Sequence, residues 1–336
     1  MKTPYFSILH VIRLIKLKVS KILFRSKIFS DNVVLGYAPG NRIDGLGAQL
    51  QRVLAINALA DFWRLRVIHP VISQIAVHPL DQLNDENSYN TFLDEVNRII
   101  GTETVDSKFL NTYKSFYAED LKFRHISKLL FNTIIFRRKT FLHVTHPYYF
   151  VDANVMMYIC DENLKIAEKL KSLAAHSKIP KIALHHRQGV GNMAVQPGQS
   201  FPRELALSEY IRPLSESIEL TQLDDISVYT DAPESKLTFT PPKDQQKSWS
   251  GLPNFDGLSM EINAKDFTFL SRECSYGIEV IRGGNPLLCL AELSCATALI
   301  LSRSSFGYVA ALLGQQTLVW TPKDFWHPPL PWWRKF

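Results

Sequence analysis

The sequence has few cysteines, no long uncharged apolar run and no internal repeat. Its four cysteines stand apart, without a CxxC pair or a histidine at zinc spacing, which excludes a zinc module. We therefore expect a reducing compartment, the cytoplasm. Glycine and proline form no tract and no period, which excludes low-complexity and repeat proteins. What remains is an ordinary globular composition of 336 residues, 46% hydrophobic and 21% charged, long enough for two domains.

Acidic residues are missing from the beginning of the chain. None precedes Asp31, although seven basic residues do, so this leader accounts for the whole formal net charge of +6. The rest of the chain is close to neutral. No basic block interleaved with aromatic residues occurs, and we expect no nucleic-acid partner.

The leader from Tyr5 to Phe24 alternates apolar and basic residues. On a helix its apolar residues share one broad face, and His10, Arg13, Ser20 and Lys21 occupy much of the other. It carries too many charges for a membrane span, and it lacks the cleavage site of a secretory signal. We expect a helix that lies on an anionic membrane surface. A helix packed on the protein and a targeting peptide remain open interpretations.

Strand-like and helix-like segments alternate along most of the remaining chain. Residues 33–68 read as a strand, a loop, a helix and a second strand. Further strands are expected at 181–186, 226–230, 278–282, 298–302 and 317–320, and helices at 163–177, 203–219, 285–296 and 305–313. This alternation predicts an α/β protein with two doubly wound Rossmann-like lobes. The expected division is a leader at 1–30, an N-terminal lobe at 31–175, a C-terminal lobe at 176–320 and a Trp/Pro-rich tail at 321–336 that packs irregularly.

Residues 80–150 give a weaker pattern. Asp81 to Asn90 reads as a loop, Phe92 to Ile100 as a helix, and Thr140 to Val144 as a strand. The His146, Tyr148 and Tyr149 side chains after that strand offer either a surface on which an acceptor sugar stacks or an aromatic core cluster.

Three motifs carry the chemistry. The first is Gly45-Leu46-Gly47-Ala48-Gln49-Leu50, where two glycines at a helix start let backbone N–H groups approach an anion closely. A packing turn is the other interpretation of this short pattern.

The second motif is His185-His186-Arg187-Gln188-Gly189-Val190-Gly191, directly after the apolar run at 181–184. It stands where open α/β sheets bind ligands, and the arginine fork matches phosphate oxygens. A structural arginine that caps a loop remains possible.

The third motif, Ser302-Arg303-Ser304-Ser305-Phe306-Gly307-Tyr308, follows a buried strand and opens a helix. Its hydroxyl groups and unpaired N–H groups suit an anion. Ser304 also suits the position of an N-cap.

Together these motifs resemble those of the GDP-fucose-dependent fucosyltransferases, most closely the α-1,2-fucosyltransferases. Their GGLGNQL loop is similar to residues 45–50, their HxRRGD motif to 185–190, and their SNSSFSWW-type segment to 302–308. Val228-Tyr229-Thr230-Asp231 is similar to a strand-end acidic motif of the same family. The resemblance covers about residues 33–315, except that 80–175 matches nothing that we can place.

The resemblance implies a GT-B fold with the active site in the cleft between the lobes, and inverting transfer of fucose from GDP-fucose to a glycan or glycolipid hydroxyl. It implies that Arg187 is catalytic and that the donor contacts His185, Gly45, Gly47, Asp231, Ser304, Ser305 and Phe306. No Asp-x-Asp triplet occurs, so we expect neither a metal nor another cofactor. Asp44, His186 and Glu204 are the candidate general bases.

The chain also departs from the family pattern. Gln188 replaces its second arginine, Val190 its motif aspartate, and Cys289 stands where an acidic residue commonly reads the guanine, with Glu292 one turn later. The departures leave two alternatives open. One is a GT-B glycosyltransferase that uses another nucleotide sugar, and the other is a non-catalytic sugar- or nucleotide-binding relative.

Overall fold

The computed structural model describes residues 5–38, 44–188, 204–239 and 260–336, apart from 77, 79, 82, 84, 106, 137, 158–159 and 315. Side chains are described from Ile15 onward, except those of residues 28, 107, 110, 130, 239, 260 and 261. Several predicted features lie outside these residues. They are the loop residues 39–43, the Gly189, Val190 and Gly191 part of the second motif, and residue 203 at the predicted start of a helix.

The described chain is a mixed α/β protein, as predicted, with two parallel sheets. Its α-helices, in chain order, are α1 (Tyr5–Phe24), α2 (Lys27–Ser30), α3 (Leu46–Trp63), α4 (Glu86–Ile100), α5 (Ser107–Thr112), α6 (Phe123–Ile135), α7 (Ala153–Met156), α8 (Asp161–Ala174), α9 (Ile211–Thr221), α10 (Thr268–Cys274), α11 (Pro286–Cys295) and α12 (Ser305–Leu313). A 3₁₀ helix, Leu207–Tyr210, runs directly into α9. None of these described helices combines the length and apolarity that crossing a bilayer requires.

The strands follow the same order along the chain. They are β1 (Val33–Tyr37), β2 (Arg66–Val67), β3 (Lys114–Asp120), β4 (Thr140–His146), β5 (Ile182–His186), β6 (Ile226–Thr230), β7 (Leu237–Phe239), β8 (Met260–Ile262), β9 (Ile278–Arg282), β10 (Ala298–Ile300), β11 (Leu318–Thr321) and β12 (Arg334–Lys335).

The chain divides into two compact units. The first contains residues 1–41, 52–73 and 100–164, and the second contains 42–51, 74–99 and 165–336. Each unit therefore combines separate stretches of sequence. The predicted domain boundaries and the GT-B arrangement stay predictions.

The first unit is built on a four-stranded parallel sheet of order β2-β1-β4-β3. Its central strand β1 is buried over all five residues. Apolar side chains on both faces are expected where helices cover a parallel sheet from both sides.

The second unit is built on a six-stranded parallel sheet of order β12-β11-β10-β5-β6-β9. The chain moves outward from β5 through β6 to β9, returns to the other side of β5 at β10, and then moves outward through β11 to β12. This is the strand order of the dinucleotide-binding α/β fold, and its order reverses between β5 and β10. β7 and β8 form a separate antiparallel pair.

Most elements that the sequence predicts are present within a residue or two of their expected bounds. Strands β6 and β9 and helix α12 match their predicted ranges. Strands β5 and β6 are buried over all five of their residues, as expected for inner strands of a parallel sheet that is covered on both faces.

Residues 80–150 hold the clearest corrections. The predicted loop 81–90 ends early, because α4 begins at Glu86 and the Asp85 carboxylate accepts bonds from the Ser88 amide and hydroxyl. Strand β3 and helix α6 were not predicted. β3 is an edge strand with mostly exposed residues, so its sequence lacks the apolar run that reveals β4 beside it.

The leader forms the predicted helix, but its faces differ from the prediction. Leu17, Ser20 and Phe24 are buried, although Ser20 was placed on the polar face. The Ser20 hydroxyl donates to the Leu17 carbonyl and accepts a bond from Trp63 Nε1, which explains why a polar residue is tolerated there. Ile15, Val19 and Ile22 are exposed. At the other end of the chain, the tail is irregular, as predicted, only as far as Trp333, because β12 then extends the sheet.

Candidate functional site

The second and third motifs meet where the strand order of the second unit reverses. β5 ends at His186 and continues into Arg187 and Gln188, while β10 ends at Ile300 and continues into the serine segment. The two strands are hydrogen-bonded neighbours, so their carboxyl ends open at the same edge. This edge is where parallel α/β sheets place their ligands.

Arg187 forms an ion pair with the aspartate that ends the neighbouring strand. Its Nη1 lies 2.7 Å from Asp231 Oδ2, and the Arg187 side chain is 24% exposed. The other carboxylate oxygen, Oδ1, accepts a 2.7 Å bond from the Gln188 amide. One carboxylate therefore fixes both the arginine and the backbone that follows it.

The electrostatics of this pair keep it charged. Burial alone raises the pKa of Asp231, but the Arg187 and His78 side chains lower it, and its final pKa is about 2. His78 Nε2 lies 3.5 Å from Asp231 Oδ2, and burial lowers the pKa of His78 to about 4. At neutral pH a neutral imidazole therefore faces an ionised aspartate.

Sequence reasoning missed the segment that brings His78 and Asp81 to this ion pair. The His78 amide donates to Asp81 Oδ2 over 2.5 Å, and Asp81 lies half-buried within electrostatic reach of Arg187 and Asp231. Burial raises the pKa of Asp81 to about 7, against the opposing hydrogen bond from His78. A carboxyl group near this pKa exchanges a proton at neutral pH.

Two glycines let this segment approach the sheet. Gly283 has a φ of +67°, and a Cβ atom on it would lie 2.1 Å from the Leu80 carbonyl oxygen. The amide of Gly284 donates to that same oxygen. The Gly283-Gly284 pair after β9 was the one sequence signal of a close approach, because only glycine fits there.

His185 links the second motif to the third. Its Nδ1 lies 2.9 Å from Ser302 Oγ, and its ring centroid lies 5.4 Å from that of Phe306. Burial lowers the pKa of His185 to about 3, so its ring is neutral and needs a specific tautomer. His185 is only 7% exposed, which makes it a part of the floor of this edge.

The serine pair opens α12. Ser304 is the N-cap and its hydroxyl accepts a bond from the Phe306 amide, as the N-cap interpretation predicted. Ser305 Oγ lies 2.8 Å from His327 Nε2 in the tail, and His327 Nδ1 lies 2.7 Å from Gln51 Nε2. The tail histidine thus connects α12 with the helix that follows the first motif.

The first motif joins the same site through its second glycine. A Cβ atom on Gly47 would lie 2.5 Å from the amide nitrogen of Phe306, so the two backbones are in direct contact. Gly45 pairs with Ala76 in a β-bridge, and an added Cβ there would meet only the Ala76 carbonyl at 3.7 Å. Gly47 is therefore required for packing, whereas Gly45 is less crowded.

The three residues predicted as possible bases have different surroundings. His186 is fully buried, bonded to Thr230 Oγ1 at 3.1 Å and packed against Phe267. Glu204 forms a 2.6 Å ion pair with Lys265. Asp44 is half-buried, and its carbonyl accepts bonds from the Gln49 side chain and the Ala76 amide. None of the three shares a direct contact with Arg187 among the described interactions, and their catalytic roles stay predictions.

Cys289 and Glu292 lie where the family resemblance predicts contact with the guanine base. Burial raises the pKa of Cys289 to about 12, so the group is a neutral thiol. Glu292, one turn later, is 9% exposed and accepts a 3.0 Å bond from the Tyr229 hydroxyl. Its carboxylate is therefore engaged within the second unit.

Across the residues that the structure describes, no three His, Cys, Asp or Glu side chains are arranged to hold a metal ion. The metal-independent reaction stays a prediction.

Comparison with known proteins gives one kind of match. No protein-family model matches the chain, and no curated protein does. Among solved structures, it is similar to POFUT1 in complex with GDP, at 12% identity and a TM-score of 0.43 over 91% of this chain and 98% of that one. Two structures of POFUT1 in complex with GDP-fucose are similar at 10% and 11% identity, with TM-scores of 0.40 and 0.39, over 91% of this chain and 99% and 98% of theirs. At these values the likeness carries no argument about the activity of this chain.

Proposed function

We propose that this chain is an inverting glycosyltransferase that moves fucose from GDP-fucose to a hydroxyl of a glycan or glycolipid, most like the α-1,2-fucosyltransferases. The observation that carries the proposal is the meeting of all three motifs in the second unit. Arg187 stands beside the serine segment at the reversal of strand order, and Gly47 touches the start of the helix that this segment opens.

Arg187 acts on the diphosphate of the donor. When the bond between fucose C1 and the phosphate oxygen breaks, negative charge gathers on the departing GDP. A guanidinium group has five N–H donors, so the Nη1 bond to Asp231 leaves donors for phosphate oxygens. Because Asp231 already holds the Arg187 guanidinium group in place, the protein needs little reorganisation when negative charge develops on the diphosphate.

The start of α12 supplies a second anion contact. The free N–H groups of a first helical turn and the helix dipole favour a phosphate there. His185 and Phe306 pack beneath this turn, so they position it rather than transfer a proton.

Asp81 is the group best suited to accept the acceptor's proton. It is half-buried within electrostatic reach of the Arg187–Asp231 pair, and its pKa of about 7 suits a general base at neutral pH. In this scheme the acceptor oxygen bonds to fucose C1, its proton passes to Asp81, and GDP leaves. Asp81 replaces Asp44, His186 and Glu204 as our first candidate for the base.

Calorimetric titration with GDP, GDP-fucose, UDP and ADP tests the donor site. We expect GDP and GDP-fucose to bind without added divalent metal, and Arg187→Ala to lose most of that affinity. Arg272→Ala is the matched control, because Arg272 is an exposed arginine on α10 of the same unit.

If the protein binds UDP more tightly than GDP, the donor is a nucleotide sugar other than GDP-fucose. GDP-fucose binding without hydrolysis or transfer across a panel of glycan acceptors would favour the non-catalytic relative. Absence of nucleotide binding would overturn the proposal altogether.

A further inference from the structure

Helix α1 has an apolar strip on the face opposite its packed side. Ile15, Val19 and Ile22 are 56%, 40% and 76% exposed, whereas Leu17, Ser20 and Phe24 bury the opposite face. The spacing of three and four residues places the exposed side chains in one line along the helix. In the sequence the same spacing continues backward through Ile12, Val11 and Ile8.

Basic side chains border this strip. Lys18, Arg25 and Lys27 are exposed, and Lys16 and Lys21 are half-buried beside it. The first acidic residue of the chain is Asp31, so no carboxylate offsets these charges within the helix. An apolar strip between cations suits an interface with apolar chains beneath anionic headgroups.

A second exposed apolar cluster belongs to the same unit. Phe131, Ile134, Ile135 and Phe136 at the end of α6 are each at least 50% exposed, and Arg138 stacks on the Phe136 ring at 5.1 Å. Lys128, Arg138 and Lys139 are exposed around it. A cluster of four large apolar side chains beside cations is unusual on a surface that meets only water.

The two elements are neighbours in the first unit. Lys16 Nζ lies 5.9 Å from the centre of the Phe123 ring, at the start of α6. Beyond the other end of α6, the Thr140 amide donates to the Asn32 carbonyl, shortly after α2. The strip and the cluster thus belong to two elements of the same compact unit that contact each other.

We propose that the exposed strip of α1 and the cluster at the end of α6 dock the protein on an anionic lipid membrane. The apolar side chains enter the boundary between headgroups and acyl chains, and the lysines and arginines pair with the headgroup charges. The proposal does not depend on the donor, because none of these residues belongs to the site of the second unit.

Co-sedimentation of the full chain with vesicles tests the proposal. Phosphatidylcholine vesicles with phosphatidylglycerol should bind the protein, and vesicles of phosphatidylcholine alone should bind it weakly. Binding should fall as salt shortens the screening length from about 10 Å at 0.1 M to about 3 Å at 1 M. Replacing Lys18 by Ala should lower the partition constant roughly fivefold.

Two triple variants separate the clusters. Ile15→Ser with Val19→Ser and Ile22→Ser, and Phe131→Ser with Ile134→Ser and Ile135→Ser, should each lower binding by roughly tenfold or more. Leu220→Ser is the control, because Leu220 is 53% exposed on α9 of the second unit. Circular dichroism verifies that each variant remains folded.

Vesicle binding that the triple variants retain, or that Leu220→Ser loses equally, would overturn the proposal. A second result would also overturn it. If the parent protein is a dimer in sedimentation velocity, the triple variants are monomers, and no protein binds vesicles, then the strip and the cluster contact a second copy of the chain.

Discussion

Gly47 and Phe306 touch through their backbones, although they come from the two ends of the sequence. A Cβ atom at Gly47 would lie 2.5 Å from both the amide nitrogen and the Cα of Phe306. The glycine of the first motif is therefore explained by packing against the third motif. Its absence of a side chain is what lets α3 begin beside the start of α12.

Replacing Gly47 by Ala should destabilise the protein by about 1–3 kcal/mol, because the obstructing atoms are backbone and cannot rotate away. Gly277→Ala is the matched control, since an added Cβ there meets nothing within 4 Å. Urea unfolding of both variants measures the difference. Equal midpoints for the two variants would contradict the assigned contact.

Replacing Arg187 by Ala should lower kcat/KM for fucosyl transfer by roughly 10²–10³-fold, as the loss of a donor aimed at transition-state charge does. Arg187→Lys should recover little of this, because an ammonium group cannot bond Asp231 and a phosphate through one planar fork. Steady-state kinetics with GDP-fucose checks both variants. Full activity of Arg187→Lys would show that transfer does not require the planar guanidinium group of Arg187.

Replacing Asp81 by Asn should remove the group that titrates near neutrality. In the parent protein, kcat/KM should rise with pH up to about 7 and then level, because this ratio reports the free enzyme, in which the ionised Asp81 carboxylate is the base. The variant should be slower by roughly 10²–10⁴-fold and lose this rise. Binding of GDP by calorimetry serves as the control for folding, and an unaltered pH profile would remove Asp81 from the mechanism.

Stability should fall as the pH drops from 6.5 toward 4. His78, His185 and His186 have folded-state pKa values of about 4, 3 and 4, lowered by burial, so only the unfolded chain takes up their protons in this range. For each such proton, the free energy of unfolding falls by about 1.4 kcal/mol for every pH unit that the pH is lowered. Asp81 opposes this by one proton, because its raised pKa makes the folded state the better proton acceptor between about pH 4 and 7.

Urea midpoints at pH 7, 6 and 5 measure the net effect. A midpoint that stays constant or rises toward pH 5 would show that these histidines are not buried in their neutral form. The His186→Gln variant should flatten the dependence, because glutamine has no proton to take up.

The sequence predicted the second unit better than the first. Strands β5, β6 and β10 are buried along their whole length, and polar residues follow each of them at the edge where parallel sheets place their ligands. Arg187 and Ser304 were singled out because a strand end is visible in sequence, and Asp231 through the family resemblance; their roles stay predictions. The pairing of Arg187 with Asp231 was not, because it depends on which strands are neighbours.

His78, Asp81 and His327 show what pattern reasoning misses. They lie outside the helices and strands, so no periodicity marks them, and their partners Asp231 and Ser305 are distant in sequence. The burial that lowers the pKa of His78 and raises that of Asp81 arises only after folding. The same holds for α1, where Ser20 is buried because Trp63 supplies its bond.

The second unit draws residues from three separate stretches of the chain, 42–51, 74–99 and 165–336. A fragment that begins after residue 175 would keep the six strands of the sheet but lose Gly47, His78 and Asp81. Such a fragment would leave the Phe306 backbone and the Arg187–Asp231 pair open to water on the side that these residues cover. Dissection at a single peptide bond therefore does not yield an intact second unit, and a shortened protein has to retain both early stretches.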